Sequence, residues 1–359
     1  MKKIRLGMVG CGAMSTNHQS NFSWVNEVAE YTCTCDIVEE RAKQAAEIVG
    51  APLYFKHYQD MVDHVDAVLL VLPHELHCEV SCFFMRAGKH VLCEKPLAVS
   101  EAECIKMIDC AEENNVKLMT AYPLRYWPEI IKLKELVDSG EYGDAFQMSI
   151  WTEQYTHRES ADTWYHSIRG LGGGQLFSHG CHYIDLMLWF LGRPVEGMHL
   201  GTNFGTPWME REGTSNVVIK FENGALGYHM GTWGARGTQH DYCIQIHCTK
   251  GMLEWSRPKG MITFYKNTKS DVADVADETN TEVLFECKVD SKKTELELTH
   301  FLECIIEDKK PLSDPISSLQ GLRVIWKLYQ AEEKGIVADL RGLGFDEPYR
   351  TGKEYKYWL

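Results

Sequence analysis

The N-terminal third of the chain alternates short apolar runs with stretches of helical periodicity. The apolar runs cover residues 4–9, 30–35, 66–72, 90–93 and 117–120. Helical patterns lie between them at residues 41–49 and 101–114, and Ser100 and Glu103 have the spacing of a capping box at the start of the second. This alternation is typical of βαβ units, so the pattern predicts a doubly wound, parallel α/β sheet.

The pattern changes after a proline-marked junction at residues 122–128. Longer runs of alternating polar and apolar residues follow at 145–153, 215–221, 225–232, 242–248 and 262–265. Turn residues separate them at hairpin spacing, which predicts a large, mostly antiparallel open sheet. Helical patterns at about 179–191, 294–308 and 316–333 are expected to cover one face of that sheet. We therefore predict a Rossmann domain over residues 1–122 and an α+β domain over residues 123–359.

Composition narrows the classes of partner. The 359 residues include 37 Lys and Arg against 51 Asp and Glu, a net charge of -14, which disfavours nucleic acid and anionic membrane surfaces as partners. No signal-peptide pattern precedes the first strand, so we expect a cytoplasmic protein. The 13 cysteines are scattered and form no CxxC pair, which favours reduced thiols over disulfides or a structural zinc site.

A glycine turn follows the first predicted strand. Gly10 permits a tight turn, and Gly12, with Ala13 and Met14, lets the backbone approach a pyrophosphate at a helix N-terminus. Ser15 stands where the dinucleotide fingerprint has its third glycine.

An acidic residue ends the second predicted strand. Asp36 lies at the distance along the chain that the dinucleotide fingerprint requires for a carboxylate facing ribose hydroxyls. It would repel a 2′-phosphate, so NAD is the predicted cofactor, although Arg41 nearby is a candidate cofactor contact of the opposite sign. The alternative is a purely structural glycine turn with Asp36 as a helix cap.

A lysine follows the strand at residues 88–93, in the segment Glu94-Lys95-Pro96. Open α/β sheets bind their ligands at the carboxyl ends of the strands. A partly desolvated lysine beside a nicotinamide can hold a proton for a substrate oxygen or exchange one. The alternative is a surface lysine paired with Glu94.

Together, five segments resemble the glucose–fructose oxidoreductase, inositol dehydrogenase and rhizopine-catabolism family, Gfo/Idh/MocA. They are Gly10-Cys11-Gly12, Asp36, Pro73-His74-Glu75-Leu76-His77, residues 87–97 around Glu94-Lys95-Pro96, and Gly172-Gly173-Gly174 leading to His182-Tyr183-Ile184-Asp185. The resemblance implies a Rossmann domain, a pyridine nucleotide between the domains and a large sheet used to form a homodimer or homotetramer.

The same resemblance implies roles for individual residues. Lys95 corresponds to the catalytic lysine, His182 to an acid/base histidine, and Asp185 to an acidic residue one helical turn further on. It also implies cofactor contacts along the loop after the fourth strand and beside the lysine, namely Pro73, His74, His77 and Glu94.

The chain departs from the family pattern just before His182. Many family dehydrogenases have an aspartate where this chain has Ser178, which can bind a sugar hydroxyl but carries no charge. Ser178-His179-Gly180 resembles the Thr-His-Gly segment of NAD-dependent glycosidases in the same superfamily, which makes His179 a second candidate acid/base. Three-residue spacing also puts His179, His182 and Asp185 on one helix face, but no metal-ligand motif accompanies them and no metal is predicted.

Aromatic and basic residues between the domains are candidates for carbohydrate binding or for ordinary packing. They are Tyr122, Arg125, Tyr155, Arg158 and Trp164. Arg125, Arg158 and Arg169 could instead bind an anionic substituent.

Three functions remain open at this point. The first is an NAD-dependent oxidoreductase that transfers hydride to or from a hydroxyl of a sugar, cyclic polyol or glycoside. The second is an NAD-dependent glycosidase that oxidises its substrate transiently, with elimination, hydration and re-reduction and no net redox change. The third is a non-catalytic nucleotide-binding regulator on the same fold.

Overall fold

Six parallel strands form the N-terminal sheet. They are β1 (Ile4–Val9), β2 (Ala29–Cys35), β3 (Leu53–Phe55), β4 (Ala67–Leu70), β5 (His90–Glu94) and β6 (Leu118–Ala121). Their order is β3-β2-β1-β4-β5-β6, so the direction of winding reverses between β1 and β4, and the predicted doubly wound sheet is confirmed. The edge strand β3 was not predicted because its apolar run is only three residues long, too short to show the period of a strand.

The structure is a computed structural model that describes residues 3–157, 163–269, 272–273, 275–287 and 292–350. The helices around the first sheet are α1 (Ser15–Asn21), α2 (Glu39–Val49), α3 (His77–Arg86) and α4 (Glu101–Glu113). The next helix, α5 (Pro128–Asp138), packs against the second sheet. Ser100 caps α4 as predicted, because the backbone N–H of Glu103 donates to Ser100 Oγ at 3.3 Å. The second bond differs from that of a capping box, since Ser100 Oγ rather than the Ser100 backbone N–H donates to Glu103 Oε2, at 3.1 Å.

The second sheet is mostly antiparallel, as predicted. Its strands are β7 (Ala145–Glu153), β8 (Pro194–Thr202), β9 (Thr214–Phe221), β10 (Leu226–Thr232), β11 (Tyr242–Cys248), β12 (Gly251–Ser256), β13 (Met261–Lys266), β14 (Thr281–Glu286) and β15 (Ala338–Asp339). Their order is β14-β13-β12-β11-β7-β10-β9-β8-β15, and β7 and β10 form the parallel pair. Strands β8, β12 and β14 were missed because each lacks a clean polar and apolar alternation.

The remaining helices are α6 (Ile168–Leu171), a π-helical turn (Leu176–Gly180), α7 (Cys181–Leu191), α8 (Thr294–Ile306) and α9 (Pro315–Lys334). Helices α7 and α9 pack against each other, α7 against β7 and β10, and α9 against β8, all as expected.

Helix α8 does not join them. Its buried residues Leu298, Phe301 and Leu302 share a core cluster with Leu6 and Met8 of β1. The expectation that this helix covers the second sheet is therefore wrong. An apolar stripe shows that a helix is buried on one side but does not identify the sheet it meets.

All 13 cysteines are free thiols, and 12 of them are buried. In the described part of the chain, no helix is both long enough and apolar enough to cross a membrane.

Candidate active site

The turn after β1 has the geometry of a phosphate-binding turn. Gly10 has φ +92°, and a Cβ there would lie 2.1 Å from the carbonyl oxygen of Val71, so only glycine fits. A Cβ at Gly12 would meet nothing within 4 Å, which leaves its backbone open to a ligand. Ser15 Oγ donates to the Gly12 carbonyl at 2.6 Å and braces the turn from below.

Asp36 binds this turn directly. Its Oδ2 accepts from the backbone N–H of Cys11 at 2.8 Å, and its Oδ1 accepts from that of Val38 at 2.8 Å. The side chain is half-buried, so a carboxylate edge stays accessible at the end of β2. Arg41 is exposed in the first turn of α2. The open turn with a carboxylate beside it fits a dinucleotide with free ribose hydroxyls.

Lys95 reaches from the end of β5 to the second domain. Its Nζ donates to the backbone carbonyl of Ser178 at 2.9 Å, and the lysine is half-buried. The contact brings the ammonium group to the π-helical turn that precedes α7. The hydroxyl-bearing side chain of Ser178 is itself buried.

His179 and His182 lie beside Lys95, with ring centroids 5.9 Å apart. His179 is engaged on both sides, because Gln175 Nε2 donates to its Nδ1 at 3.3 Å and its Nε2 contacts the Tyr242 hydroxyl at 3.4 Å. The Nδ1 of His182 is buried and has no hydrogen-bond partner among the described residues. His182 is therefore the histidine with more free bonding capacity.

The loop after β4 holds two further histidines against backbone carbonyls. His74 Nδ1 is 2.8 Å from the Leu171 carbonyl oxygen, which ties this loop to the second domain. The ring of His77 lies between the carbonyl oxygens of Pro96 at 2.8 Å and Leu72 at 3.0 Å. Both rings are buried, so their observed contacts support the framework, and a cofactor contact for either one stays a prediction.

Two protein-family models match the sequence of this chain. The oxidoreductase family with an NAD-binding Rossmann fold, GFO_IDH_MocA, matches residues 4–122, and the GFO/IDH/MocA C-terminal domain matches residues 130–254. The chain belongs to the Gfo/Idh/MocA family. It is an NAD-binding oxidoreductase of that family, and NAD is the cofactor.

Related proteins give the same picture. The chain is 29% identical to myo-inositol 2-dehydrogenase of Thermotoga maritima, over 62% of this chain and 67% of that protein. It is 27% identical to the rhizopine catabolism protein MocA of Rhizobium meliloti, over 76% of this chain and 86% of that protein.

Solved structures share the fold. A levoglucosan dehydrogenase in complex with NADH matches with a TM-score of 0.83 at 19% identity, covering 94% of this chain and 99% of that chain. The WlbA dehydrogenase of Bordetella pertussis, in complex with NADH and UDP-GlcNAcA, matches with a TM-score of 0.78 at 22% identity, covering 94% and 99%.

The electrostatics of this Gfo/Idh/MocA site favour neutral histidines. Burial, followed by the charge of Lys95, lowers the pKa of His182 well below its usual range. The same two causes, in the same order, lower the pKa of His179. Both rings are therefore uncharged at neutral pH, and a neutral imidazole can accept a proton from a hydroxyl group.

Arg125 and Asp185 form a buried pair and do not have the substrate roles predicted for them. The guanidinium of Arg125 donates from Nε to Asp185 Oδ2 at 2.7 Å and from Nη2 to Oδ1 at 2.6 Å, and its Nη1 donates to the Leu312 carbonyl at 2.7 Å. Both side chains are buried, at 2% and 1% exposure. Arg125 is thus not placed to bind an anionic substituent, and Asp185 is not placed to act on substrate, because each satisfies the other.

The other predicted substrate residues are spread between the cleft wall and its rim. Tyr122 is buried with its ring 5.5 Å from that of His182, and the ring of Trp164 lies 5.5 Å from that of His74. Tyr155 is 56% exposed and lies further out, against Trp208. Arg158 lies outside the described residues. Tyr122 therefore lies next to the candidate acid/base His182, Trp164 lies against the loop after β4, and Tyr155 belongs to the rim.

Several residues at the site were not predicted. Gln175 and Tyr242 hold His179, the ring of Tyr183 lies 5.3 Å from that of His179, and the ring of Trp233 lies 6.4 Å away. Tyr242 begins β11 and Trp233 directly follows β10. A signal was available, since β10 ends and β11 begins at the same edge of the sheet, with β7 between them, and each carries an aromatic residue there.

Proposed function

We propose that the protein is an NAD-dependent oxidoreductase that transfers hydride to or from a carbon bearing a hydroxyl group in a sugar or cyclic polyol. The observation that carries the proposal is the contact of Lys95 Nζ with the Ser178 carbonyl at 2.9 Å, beside His182. That contact joins the ligand-binding edge of the parallel sheet to the histidine-bearing turn of the second domain.

Lys95 and His182 have different roles at the substrate oxygen: Lys95 donates a hydrogen bond, and His182 transfers a proton. Bound NAD supplies the hydride acceptor. The Lys95 ammonium has three donors, so it can keep the Ser178 contact and still hydrogen-bond the substrate hydroxyl. The neutral ring of His182 accepts the hydroxyl proton through nitrogen as the carbonyl develops, and it returns that proton in the reverse direction.

The walls of the cleft support a carbohydrate or polyol. Trp164, Tyr165 and Tyr242 are half-buried aromatic residues near the histidines, and they offer apolar faces with polar edges. Relatives of this chain act on inositol, and a solved structure with the same fold holds L-sorbose. Neutral polyols and monosaccharides are therefore the first substrates to screen.

The test is the Lys95→Met variant assayed with a panel of sugars and inositols. We expect turnover to fall at least about a thousandfold, because both hydrogen bonding and charge at the reacting oxygen are lost, while NAD affinity changes little. Lys106→Met, which removes an exposed lysine from α4, is the matched control. Turnover retained by Lys95→Met would refute the assignment, and inertness of the wild type with tight NAD binding would favour the regulator.

The glycosidase is tested in the same assay. Aryl glycosides are added, and release of the aglycone is read together with NADH. We expect NADH to accumulate without aglycone release, because His179 is held by Gln175 and Tyr242 rather than free to act on a sugar. Aglycone release without net NADH would replace the oxidoreductase with the glycosidase.

We also propose that the second sheet carries self-association. Phe146 on β7, Leu200 on β8 and Val218 on β9 are 51%, 66% and 45% exposed on one broad sheet. An exposed apolar surface of this kind marks an interaction site. Light scattering should give a dimer or tetramer for the wild type and a smaller species for Leu200→Glu; a monomeric wild type would refute it.

A further inference from the structure

A second titratable cluster lies next to the main chain of Lys95. It consists of His18 on α1, Glu94 at the end of β5 and Glu297 on α8, and one ligand atom from each lies within 4.8 Å of the others. The three residues are 1%, 6% and 0% exposed. The reaction proposed above gives none of them a proton-transfer role, although Glu94 is also a predicted cofactor contact.

Their hydrogen bonds are unequal. His18 Nε2 is 2.9 Å from Glu94 Oε1, and Glu94 Oε2 accepts from the backbone N–H of Lys95 at 3.2 Å. Both carboxyl oxygens of Glu297 and the Nδ1 of His18 are buried without a hydrogen-bond partner among the described residues. Glu94 is therefore satisfied as an anion, whereas Glu297 is not.

Two charged carboxylates cannot share so dry a space without compensation, because burial disfavours each charge and the two repel. The groups that face Glu297 are His18 from α1, Glu94 from β5, Glu295 from its own helix and Lys292 from the preceding segment. Burial, then Glu94 and Glu295, raise the pKa of Glu297 well above its usual range, with Lys292 opposing.

Glu94 responds in the other direction. Its pKa is lowered because the hydrogen bond and charge of His18, with the charge of Lys95, outweigh its burial. The two carboxyl groups thus differ in protonation although their oxygens lie within 4.8 Å of each other.

We propose that His18, Glu94 and Glu297 form a positioning cluster with one net carboxylate charge. Glu297 keeps its proton, so the charge stays on Glu94 and fixes the main chain from which Lys95 reaches the substrate. The inference rests on Lys95 serving the proposed reaction, but the protonation of Glu297 can be measured without turnover.

The first experiment measures unfolding of wild type and Glu297→Gln against pH. Unfolded Glu297 releases its proton above about pH 4.3, whereas the folded residue holds it. Folding therefore takes up a proton, and the unfolding constant of the wild type relative to Glu297→Gln should rise by about tenfold per pH unit between about pH 5 and pH 7.

Glu303→Gln, which changes an exposed residue of the same helix, is the control and should show no such trend. A flat ratio for Glu297→Gln would overturn the proposal. So would a stoichiometric divalent ion found by elemental analysis in wild type and lost in this variant. Neither result depends on which substrate the enzyme takes.

The second experiment tests whether the cluster positions Lys95. It is a double-mutant cycle of Glu94→Gln and Glu297→Gln. Glu297→Gln should change kcat less than about threefold, because glutamine imitates a protonated glutamate. In Glu94→Gln, Glu297 can ionise and supply the missing charge, so kcat should fall only moderately, about tenfold.

The double variant has no carboxylate, and its kcat should fall well beyond the product of the two single losses, with little change in the KM for NAD. Strictly multiplicative losses would overturn the positioning role. Loss of turnover in Lys95→Met tests the proposed function separately, so failure of one idea can be told from failure of the other.

Discussion

The candidate active site has an open side of half-buried residues and a sealed side of fully buried residues. Residues that are close in sequence lie on different sides. Lys95 and His182 are half-buried and form the open side, whereas Glu94 and Asp185, one and three residues away, are buried at 6% and 1% exposure and form the sealed side. Successive side chains of a strand point to opposite faces, which separates Glu94 from Lys95 at the end of β5. The open side can meet a substrate, and the sealed side holds the framework that aims it.

Two buried carboxyl groups on the sealed side, those of Asp185 and Glu297, are stabilised in different ways. Burial raises the pKa of Asp185, and Arg125 opposes that effect by donating two hydrogen bonds to the carboxylate. Glu297 has no partner among the described residues, and its raised pKa keeps it neutral. Paired charge and retained proton are the two ways to bury a carboxyl group.

Among substitutions on the open side, His182→Asn should cause the largest loss of activity. We expect kcat to fall by about 10²–10⁴, the range for loss of a general acid/base, with NAD binding unchanged in a direct titration. His179→Asn is the matched variant on the same turn, and its loss should be smaller because His179 is held by Gln175 and Tyr242. A larger loss for His179→Asn would move the proton transfer to that residue.

On the sealed side, Arg125→Met should destabilise the folded protein. The change leaves Asp185 buried without its partner, which should lower the free energy of unfolding by about 3–5 kcal/mol. Urea denaturation monitored by tryptophan fluorescence measures it. Arg125→Met combined with Asp185→Leu should recover much of the loss, since no unpaired charge remains; a single variant within about 1 kcal/mol of wild type would mean that Asp185 is not sealed.

A third variant tests how well the sealed side excludes protons. His229 is 0% exposed on β10, and burial lowers its pKa to about 3. Below about pH 6.5 the unfolded chain binds a proton at this histidine that the folded protein does not, so wild-type stability falls as the pH falls.

At pH 5 this residue should account for about 2 kcal/mol of the loss. His229→Gln should therefore lose less stability than wild type between pH 7 and pH 5, in the same urea titration. His247→Gln, at an exposed position of β11, is the control and should follow wild type. Equal losses for all three proteins would show that His229 is protonated in the folded state.

The sequence predicted the local parts of this site and missed the distant ones. The turn at Gly10 and Gly12, the residue Asp36 and the strand end at Lys95 belong to short motifs, so their geometry follows from a few adjacent residues. Arg125 and Asp185 are 60 residues apart, and nothing local pairs them. For that reason Arg125 was expected to bind substrate when it binds the framework.

The π-helical turn at Leu176–Gly180 gave no signal either, because such turns are rare and have no composition of their own. The predicted three-residue spacing does bring the rings of His179 and His182 to 5.9 Å from each other, whereas Asp185 binds Arg125. Glu297 was missed for a related reason: α8 was expected on the second sheet, whereas it packs on β1 and brings its glutamate to β5. Assigning a helix to the wrong sheet hides every contact it makes.

The rim of the open side should respond least. Arg169 pairs with Glu75 at 3.2 Å across the two domains, and its side chain is 91% exposed. Solvent and salt screen such a pair, so Arg169→Ala should change the free energy of unfolding by less than about 1 kcal/mol. The KM for a neutral polyol should stay within about threefold, because a screened rim charge adds little to binding an uncharged substrate. A tenfold or larger rise in KM that is confined to anionic sugars and fades at high salt would instead place Arg169 in substrate binding and extend the open side to this rim.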